Sequence, residues 1–227
     1  MRHCSVLYFL FTSILLIIAG CATSPTQSGN IEQVAHELIA MEESDQKLEF
    51  MVINKDPQTL EPDFFERKDA AQAQNAQRCE KIFNEIGYPT HSLVGQKASD
   101  AFWLLIQHAD DDPALQERVA IAMKAAVLDD DAPADKFAML TDRVRINTGR
   151  NQLFGSQVQF DLKTCRAMPK PIEDPEHVDK RRAEVGLEPL WKYMNGAAEL
   201  NFMMNTKHYE EIGVTKPWVY PEGFSDW

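Results

Sequence analysis

The spacing of apolar residues predicts that most of this chain is helical. Within residues 30–54, apolar side chains recur every three or four positions, which is the period of one helix face. Asp45 interrupts that apolar face. After two prolines within 55–62, the same spacing predicts a second helix over 63–86, and Asn75 occupies a similar place on its apolar face. Each helix therefore carries a short polar side chain where burial is expected.

Three further helices are predicted in the middle of the chain. They run over 96–109, from Pro113 onward, and over 134–148. The segment Phe102–Ile106 is apolar on every side, which is typical of a helix buried at the centre of a domain. That buried segment leads directly into Gln107-His108-Ala109-Asp110, so polar and titratable groups follow the core without a linker.

The hydrophobic period changes after Gly149. Over 157–163, apolar and polar residues alternate, which predicts a strand. Leu153-Phe154, just before Gly155, is the expected partner strand, which gives a hairpin near residues 152–163. The sequence thus predicts a mainly α fold, an irregular helical bundle with one small β-hairpin.

The C-terminal part predicts two more helices and an extension. Asp174-Pro175 indicates a helix start and leads to a helix ending at Val185, and a further helix covers 190–204. The last 20 residues are rich in aromatic residues and proline and have little periodicity. We divide the chain into a signal peptide (1–20), a tether (21–30), a helical domain (31–195) and an aromatic C-terminal extension (196–227).

The N-terminus has the pattern of a bacterial lipoprotein signal. Arg2 precedes an apolar stretch over 6–18 that is too short to span a bilayer. Ile18-Ala19-Gly20-Cys21 resembles the lipobox of lipoprotein-processing enzymes, which predicts that Cys21 is acylated, palmitate included, and becomes the first residue. Ala22 follows the cysteine where an aspartate would resemble an inner-membrane retention signal. We therefore expect a lipid-anchored protein of the cell envelope, on the outer membrane and facing the periplasm.

The net charge limits the classes of binding partner, and the cysteine count limits the possible disulfides. The chain has a net charge of −12, which disfavours nucleic acid and an anionic membrane surface as binding partners. Of the four cysteines, Cys4 leaves with the signal and Cys21 carries lipid. Cys79 and Cys165 remain, either as a disulfide or as two buried thiols, and their separation has no metal-site spacing.

Several motifs together resemble a widespread bacterial domain of unknown function. They are WLLIQHADDDPALQ at 103–116, LTDRV at 140–144, GRNQLFGSQ at 149–157 and PIEDPEHVDKRRAEVGLEPL at 171–190, with Glu37, Met41, Asp45 and Gln46 upstream. The resemblance covers roughly residues 32–195. Phe154 and Ser156 depart from it, because the family usually has tyrosine and threonine there. The resemblance implies a fold but no mechanism.

The candidate site residues are polar groups on or beside apolar helix faces. A carboxylate or amide buried there must be hydrogen-bonded or paired. As a catalytic set we select His108 as general acid or base, Asp110 or Asp142 to orient it, and Arg143 to hold a substrate carboxylate or carbonyl. The candidate ligand-binding residues are Asp45, Gln46, Asn75, Gln107, Gln116, Gln152 and Gln157.

Four interpretations of these residues stay open at the level of sequence. One is a structural polar network in which Asp142 or Asp45 pairs with Arg143. Another is a catalytic pocket for hydrolysis or group transfer on a small polar substrate, without a clear nucleophile, since Ser156 lacks the flanking pattern of a nucleophile elbow. A third is a metal site formed by His108 with carboxylates, although no metal-binding motif supports it. In the last interpretation, the protein binds a small polar ligand or a partner and catalyses no reaction. The sequence leaves the cofactor unknown.

Overall fold

The computed structural model describes the backbone of residues 25–227 and the side chains from residue 30 onward. The predicted signal, its lipobox and Cys21 lie outside the described residues. The described part is mainly α with one two-stranded antiparallel sheet, as the sequence predicts. Its helices are α1 (Pro25–Ile53), α2 (Phe64–Ile86), α3 (His91–Val94), α4 (Gln96–Gln107), α5 (Pro113–Leu128), α6 (Ala134–Asn147), α7 (Val178–Glu184), α8 (Leu190–Met204) and α9 (Thr206–Glu211), and its strands are β1 (Val158–Asp161) and β2 (Arg166–Pro169).

The long helices begin and end close to their predicted positions, with one exception. α1 begins at Pro25, so the predicted start at Asn30 is wrong, and the second half of the predicted tether is helical. The short helices α3 and α9 were not predicted, because segments of four and six residues are too short to display a helical period. The helix predicted from Asp174 is a 3-10 turn followed by α7.

The main hydrophobic core surrounds α4, as its apolar sequence predicts. Phe102 and Ile106 are fully buried, and α1 packs Val34 and Leu38 into the same cluster. α2, α5 and α6 add buried side chains from the other sides, among them Cys79, Ile82, Val119, Met123 and Leu140. Because α4 is packed into this core, the backbone of His108, which directly follows α4, is held in a fixed position.

A second, smaller core joins the hairpin to the C-terminal part. Its buried members are Ala167, Val178, Leu190, Met194, Ala198 and Tyr220. Trp191, Tyr193, Phe224 and Trp227 pack against this cluster, whereas Trp218 stays partly exposed. Most of the C-terminal aromatic residues therefore cover the domain's own core and do not form a free contact surface.

The hairpin has a different partner strand from the predicted one. β1 pairs with β2, with Val158 opposite Pro169, so the predicted pairing with Leu153-Phe154 is wrong. The residues before Gly155 instead wrap around the carboxylate of Asp142, which accepts hydrogen bonds from the backbone of residues 153, 154 and 156. A backbone whose N–H groups are bound to a side chain cannot donate them to a strand ladder.

The cysteines of the folded domain are free thiols. Cys79 and Cys165 are both buried and unpaired with each other. Cys79 belongs to the main core, whereas the thiol of Cys165 donates to the carbonyl of Ala198, a member of the second core. Burial raises the pKa of Cys79 to about 12. The structure therefore supports the alternative of two buried thiols.

Between residues 25 and 227, no helix combines the length and the apolar character that crossing a membrane requires.

Candidate functional site

The site is built around a hydrogen bond between His108 and Asp45. The Nδ1 atom of His108 lies 2.6 Å from Oδ2 of Asp45. Only 2% of the Asp45 side chain is exposed, whereas 20% of the His108 side chain is exposed. α1 supplies the aspartate from its apolar face, and His108 is the residue at the end of α4. An ionised carboxylate only accepts hydrogen bonds, so a neutral His108 ring paired with it would carry its proton on Nδ1 and its lone pair on Nε2.

His108 is hydrogen-bonded to Asp45 and not to either of the two aspartates predicted to orient it. Asp110 and Asp142 were the predicted orienting residues, and both make other contacts. Asp45 has this role because α1 and α4 pack side by side in the main core, which brings one carboxylate of the apolar face to the end of α4. The sequence pattern alone does not report which helices are neighbours.

Asp110 holds Arg143 in a fixed orientation. Nε and one terminal nitrogen of Arg143 donate to the two oxygens of Asp110 at 2.8 and 2.7 Å. Asn147, one turn later on α6, donates to Asp110 at 2.8 Å and to Oε1 of Gln116 at 3.0 Å. The alternative pairing of Arg143 with Asp45 or Asp142 is therefore wrong, because the α4–α5 turn brings Asp110 to α6.

The pKa of Asp110 results from opposing causes. Partial burial raises its pKa, but the hydrogen bonds from Arg143, Asn147 and Gln116 and the positive charge of Arg143 together lower it by more, so the net pKa lies below the ordinary value of 3.8. Asp110 is therefore ionised at neutral pH, and its ion pair with Arg143 is a permanent feature of the site.

Asp142 organises the loop between α6 and β1. It is fully buried, and its oxygens accept from the backbone N–H groups of Leu153, Phe154 and Ser156 at 2.7 to 3.2 Å. On the opposite side of the loop, Arg182 donates to the carbonyl of Phe154 at 2.5 Å. The predicted catalytic residue Asp142 thus has a structural environment, and its carboxylate is fully used by the loop.

The side chain of Gln152 binds the backbone of Gln157 at both its N–H and its carbonyl. Gln157 N donates to Oε1 of Gln152 at 2.8 Å, and Nε2 of Gln152 returns a bond to the carbonyl of Gln157 at 3.0 Å. Oε1 of Gln157 accepts weakly from Arg143 at 3.4 Å. Gln116 donates to the carbonyl of Ile106 at the end of α4. Gln152 and Gln116 are therefore structural, whereas Gln157 reaches the site.

Two cavities meet at His108 and Arg143, which line both. The first, which we name the acidic cavity, has a volume of about 540 Å³ and lies over α2 and the α4–α5 turn. Its other lining residues include Glu49, Lys68, Asp69, Gln77, Glu80, Asp110, Asp111 and Asp112. The second, the amide cavity, has a volume of about 710 Å³. Its lining residues include Gln107, Gln157, Asn201, Asn205, Trp103, Met139, Phe160, Tyr193 and Met204.

Two predicted ligand-binding residues lie elsewhere. Gln46 and Asn75 are half-buried on α1 and α2, and neither lines the acidic or the amide cavity within the described residues. Asp45 lines neither cavity and is joined to the site by its hydrogen bond with His108. Of the predicted set, the structure brings together His108, Asp45, Gln107, Asp110, Arg143 and Gln157.

The described residues do not support the metal interpretation. Between residues 30 and 227, no three His, Cys, Asp or Glu side chains are close enough to hold a metal ion. His108 and Asp45 bind each other, while Asp110 and Asp142 are engaged by an arginine and by backbone amides.

Sequence reasoning missed four residues that form or support the site. Asn147 lies one helical turn after Arg143, a spacing that could have indicated it. Asn201 and Tyr193 come from α8, and nothing in their local sequence indicates a cavity. Arg182 is fully buried beside the Tyr193 ring, and burial lowers its pKa. A charged run on a short helix gave no sign of that burial.

The comparisons with known proteins identify a family. The family of unknown function DUF6624 matches residues 32–207, which extends past residue 195 through α8 and ends within α9. Comparison with curated proteins gave no match, and neither did comparison with solved structures. The match covers more than half of the chain and every residue of the site described above. The protein is therefore a member of the DUF6624 family.

Proposed function

We propose that this protein is a membrane-anchored lipoprotein whose domain binds a small polar ligand and performs acid–base chemistry on it, either hydrolysis or group transfer. The observation that carries the proposal is the 2.6 Å hydrogen bond between His108 and buried Asp45, at the point where two cavities meet. The anchor is Cys21, and the location is the outer membrane facing the periplasm. Both of these parts rest on the sequence of residues 1–22.

The proton chemistry follows from the Asp45–His108 geometry. With the proton on Nδ1 held by Asp45, Nε2 accepts a proton from water as the water oxygen attacks the electrophilic atom of the substrate. The imidazolium then gives that proton to the leaving group. The buried carboxylate of Asp45 stabilises the imidazolium and keeps the ring oriented.

Water is the proposed nucleophile. Within the described residues, no serine, threonine or cysteine is hydrogen-bonded to Nε2 of His108. Ser156 lines the amide cavity with His108, but its hydroxyl accepts from Nε2 of Gln157 at 3.3 Å and its N–H binds Asp142. The chemistry supported by these contacts is a hydrolysis or a transfer to a substrate hydroxyl.

Arg143 supplies the positive charge of the site. Asp110 occupies two of its donors, and the remaining N–H groups are directed at Gln157 and the cavities. A guanidinium held in this way binds a carboxylate, carbonyl or phosphoryl oxygen with little loss of side-chain freedom. The same feature supports a second candidate function, the binding of an anionic or carbonyl ligand without chemistry.

Turnover by His108 variants distinguishes the two functions. The full chain, purified in mild detergent, is assayed with p-nitrophenyl acetate, p-nitrophenyl phosphate and acyl p-nitroanilides. We expect folded His108→Ala to lower kcat/KM by about 10²- to 10⁴-fold, because general acid–base catalysis contributes that much. Its Tm should also fall, because the substitution leaves the buried carboxylate of Asp45 without its partner. Asp45→Asn should lower kcat/KM as well.

His177→Ala is the matched control, because His177 also contacts an aspartate through Nδ1 but is exposed and outside both cavities. Its kcat/KM should equal that of the wild type. Equal turnover by folded His108→Ala would contradict the catalytic proposal. Absence of turnover of every substrate class would favour the binding function.

A further inference from the structure

The amide cavity is lined by a side-chain amide that no other described residue hydrogen-bonds. Gln107 is 6% exposed and lines this cavity. In the part of the chain that the structure describes, no group hydrogen-bonds to its side-chain amide, although its backbone carbonyl accepts from Gln116. Its side-chain nitrogen and oxygen are not among the fully buried atoms that lack a partner, so solvent in the cavity reaches them. The free donor and acceptor of Gln107 therefore face the space of the cavity.

A second amide presents a free donor to the same cavity. Asn201, on α8, is 8% exposed and lines the amide cavity. Its Oδ1 accepts from Asn205 at 2.9 Å and from the Tyr209 hydroxyl at 3.4 Å. These bonds fix the amide orientation, so Nδ2 is the atom left over, and it has no acceptor among the described residues. Gln107 and Asn201 thus present two uncharged donor groups and one uncharged acceptor to the cavity.

The remaining wall of the amide cavity is largely apolar. Met139, Phe160 and Met204 contribute to it, together with the faces of Trp103 and Tyr193. The polar tips of the two aromatic side chains are used elsewhere, since Trp103 donates to the carbonyl of Lys136 and Tyr193 to the carbonyl of Ser156. Charge enters this cavity only through His108 and Arg143, among the residues that line it.

We infer that the amide cavity is a subsite for an apolar group bearing a neutral amide, which is the chemical class of peptides and N-acylated amino acids. An amide offers a carbonyl to Nδ2 of Asn201 and both a carbonyl and an N–H to Gln107. The apolar wall takes the attached side chain. This inference rests on the proposed function, because it names the part of the substrate held beside His108.

The test measures the affinity of the full chain, in mild detergent, for N-acetyl-L-phenylalaninamide by NMR titration. Wild-type protein should bind it, and should bind methyl 3-phenylpropanoate, which lacks an amide N–H, more weakly. Gln107→Leu and Asn201→Asp should each weaken binding of the amide about threefold to tenfold, as expected for one neutral hydrogen bond. Gln77→Leu, which removes an amide from the acidic cavity, should leave the affinity unchanged.

Thermal stability separates a ligand-binding role from a structural one. Gln107→Leu should keep the wild-type Tm, because it removes no hydrogen bond between described residues. A clear fall in Tm would mean that the amide is structural and would overturn the inference. Wild-type protein that does not bind the probe, or equal binding by wild type and Gln107→Leu, would overturn it too.

A further variant separates this inference from the proposed function. His108→Ala should still bind N-acetyl-L-phenylalaninamide, because the subsite does not depend on proton transfer. Binding that depends on Gln107, combined with no hydrolysis by wild-type protein, would leave the subsite valid and reject the catalysis. Hydrolysis that depends on His108, combined with no binding of the amide, would reject only the subsite.

Discussion

Asp45 and Asp142 are both buried carboxylates, but they have different functions because their partners differ. Asp142 accepts from three backbone N–H groups and has no free lone pair facing a cavity. Asp45 binds the titratable ring of His108, which lines two cavities. A carboxylate saturated by backbone amides fixes a loop, whereas one that binds a histidine sets the protonation state of a ring nitrogen. Burial alone does not distinguish these roles.

The loop role of Asp142 gives a prediction for stability. In Asp142→Asn, an NH₂ group replaces one acceptor oxygen, so at least one of the N–H groups of Leu153, Phe154 and Ser156 loses its partner. We expect the free energy of unfolding to fall by about 1–3 kcal/mol. Urea denaturation measures this change.

Asp111→Asn is the control for that measurement, because Asp111 is an exposed carboxylate on the α4–α5 turn. Its free energy of unfolding should stay within about 0.5 kcal/mol of the wild type. If Asp142→Asn were as stable as Asp111→Asn, the loop would not depend on the carboxylate.

At the scale of elements, the α4–α5 turn is connected to α6 by the ion pair of Asp110 and Arg143. Because the pKa of Asp110 is lowered in the folded protein, this contact stabilises the fold above the ordinary pKa of 3.8 and loses its effect as pH falls through the lower, folded value. We therefore expect wild type to be more stable than Asp110→Asn at about pH 6, with a smaller difference near about pH 3.

Urea unfolding of both proteins at the two pH values tests the contact between α4–α5 and α6. A difference in stability that stays the same at both values would show that ionised Asp110 does not contribute. Because about half of the Asp110 side chain is exposed, salt should weaken the effect.

The elements of the fold show where sequence information is sufficient. The apolar spacing of residues 30–54 and 63–86 and the fully apolar Phe102–Ile106 are local properties, so the long helices and the central position of α4 could be predicted. The strand that pairs with β1 could not be predicted. Leu153-Phe154 is bound by Asp142, which lies on α6 outside the hairpin, and the local alternation of apolar and polar residues does not report that contact.

The candidate site follows the same division. The residues His108, Asp110 and Arg143 could be selected because each is polar or charged beside an apolar helix face. Their pairing could not, since Asp45 is 63 positions from His108 along the chain. The contribution of Asn201 could not be predicted either. Asn201 lies on α8, which packs in the second core, and the local sequence does not report that α8 lines the amide cavity.

At the scale of the whole molecule, anchoring at Cys21 is a separate prediction. We expect the full chain, expressed in a bacterium with a lipoprotein pathway, to incorporate labelled palmitate and to fractionate with the outer membrane. Cys21→Ser should lose the label, because the thiol that is acylated is absent. Cys79→Ser is the control and should keep the label, since Cys79 is buried in the folded core. Label retained by Cys21→Ser would contradict the lipobox assignment.

The tautomer of His108 tests the central claim most directly, because proton transfer at Nε2 requires that Asp45 hold the proton on Nδ1. The measurement is the ¹⁵N NMR spectrum of the imidazole nitrogens of the full chain in detergent, at a pH where the ring is neutral. The account predicts a protonated Nδ1 and an unprotonated Nε2 in wild type, and loss of this preference in Asp45→Ala. A wild-type ring protonated on Nε2 would contradict it.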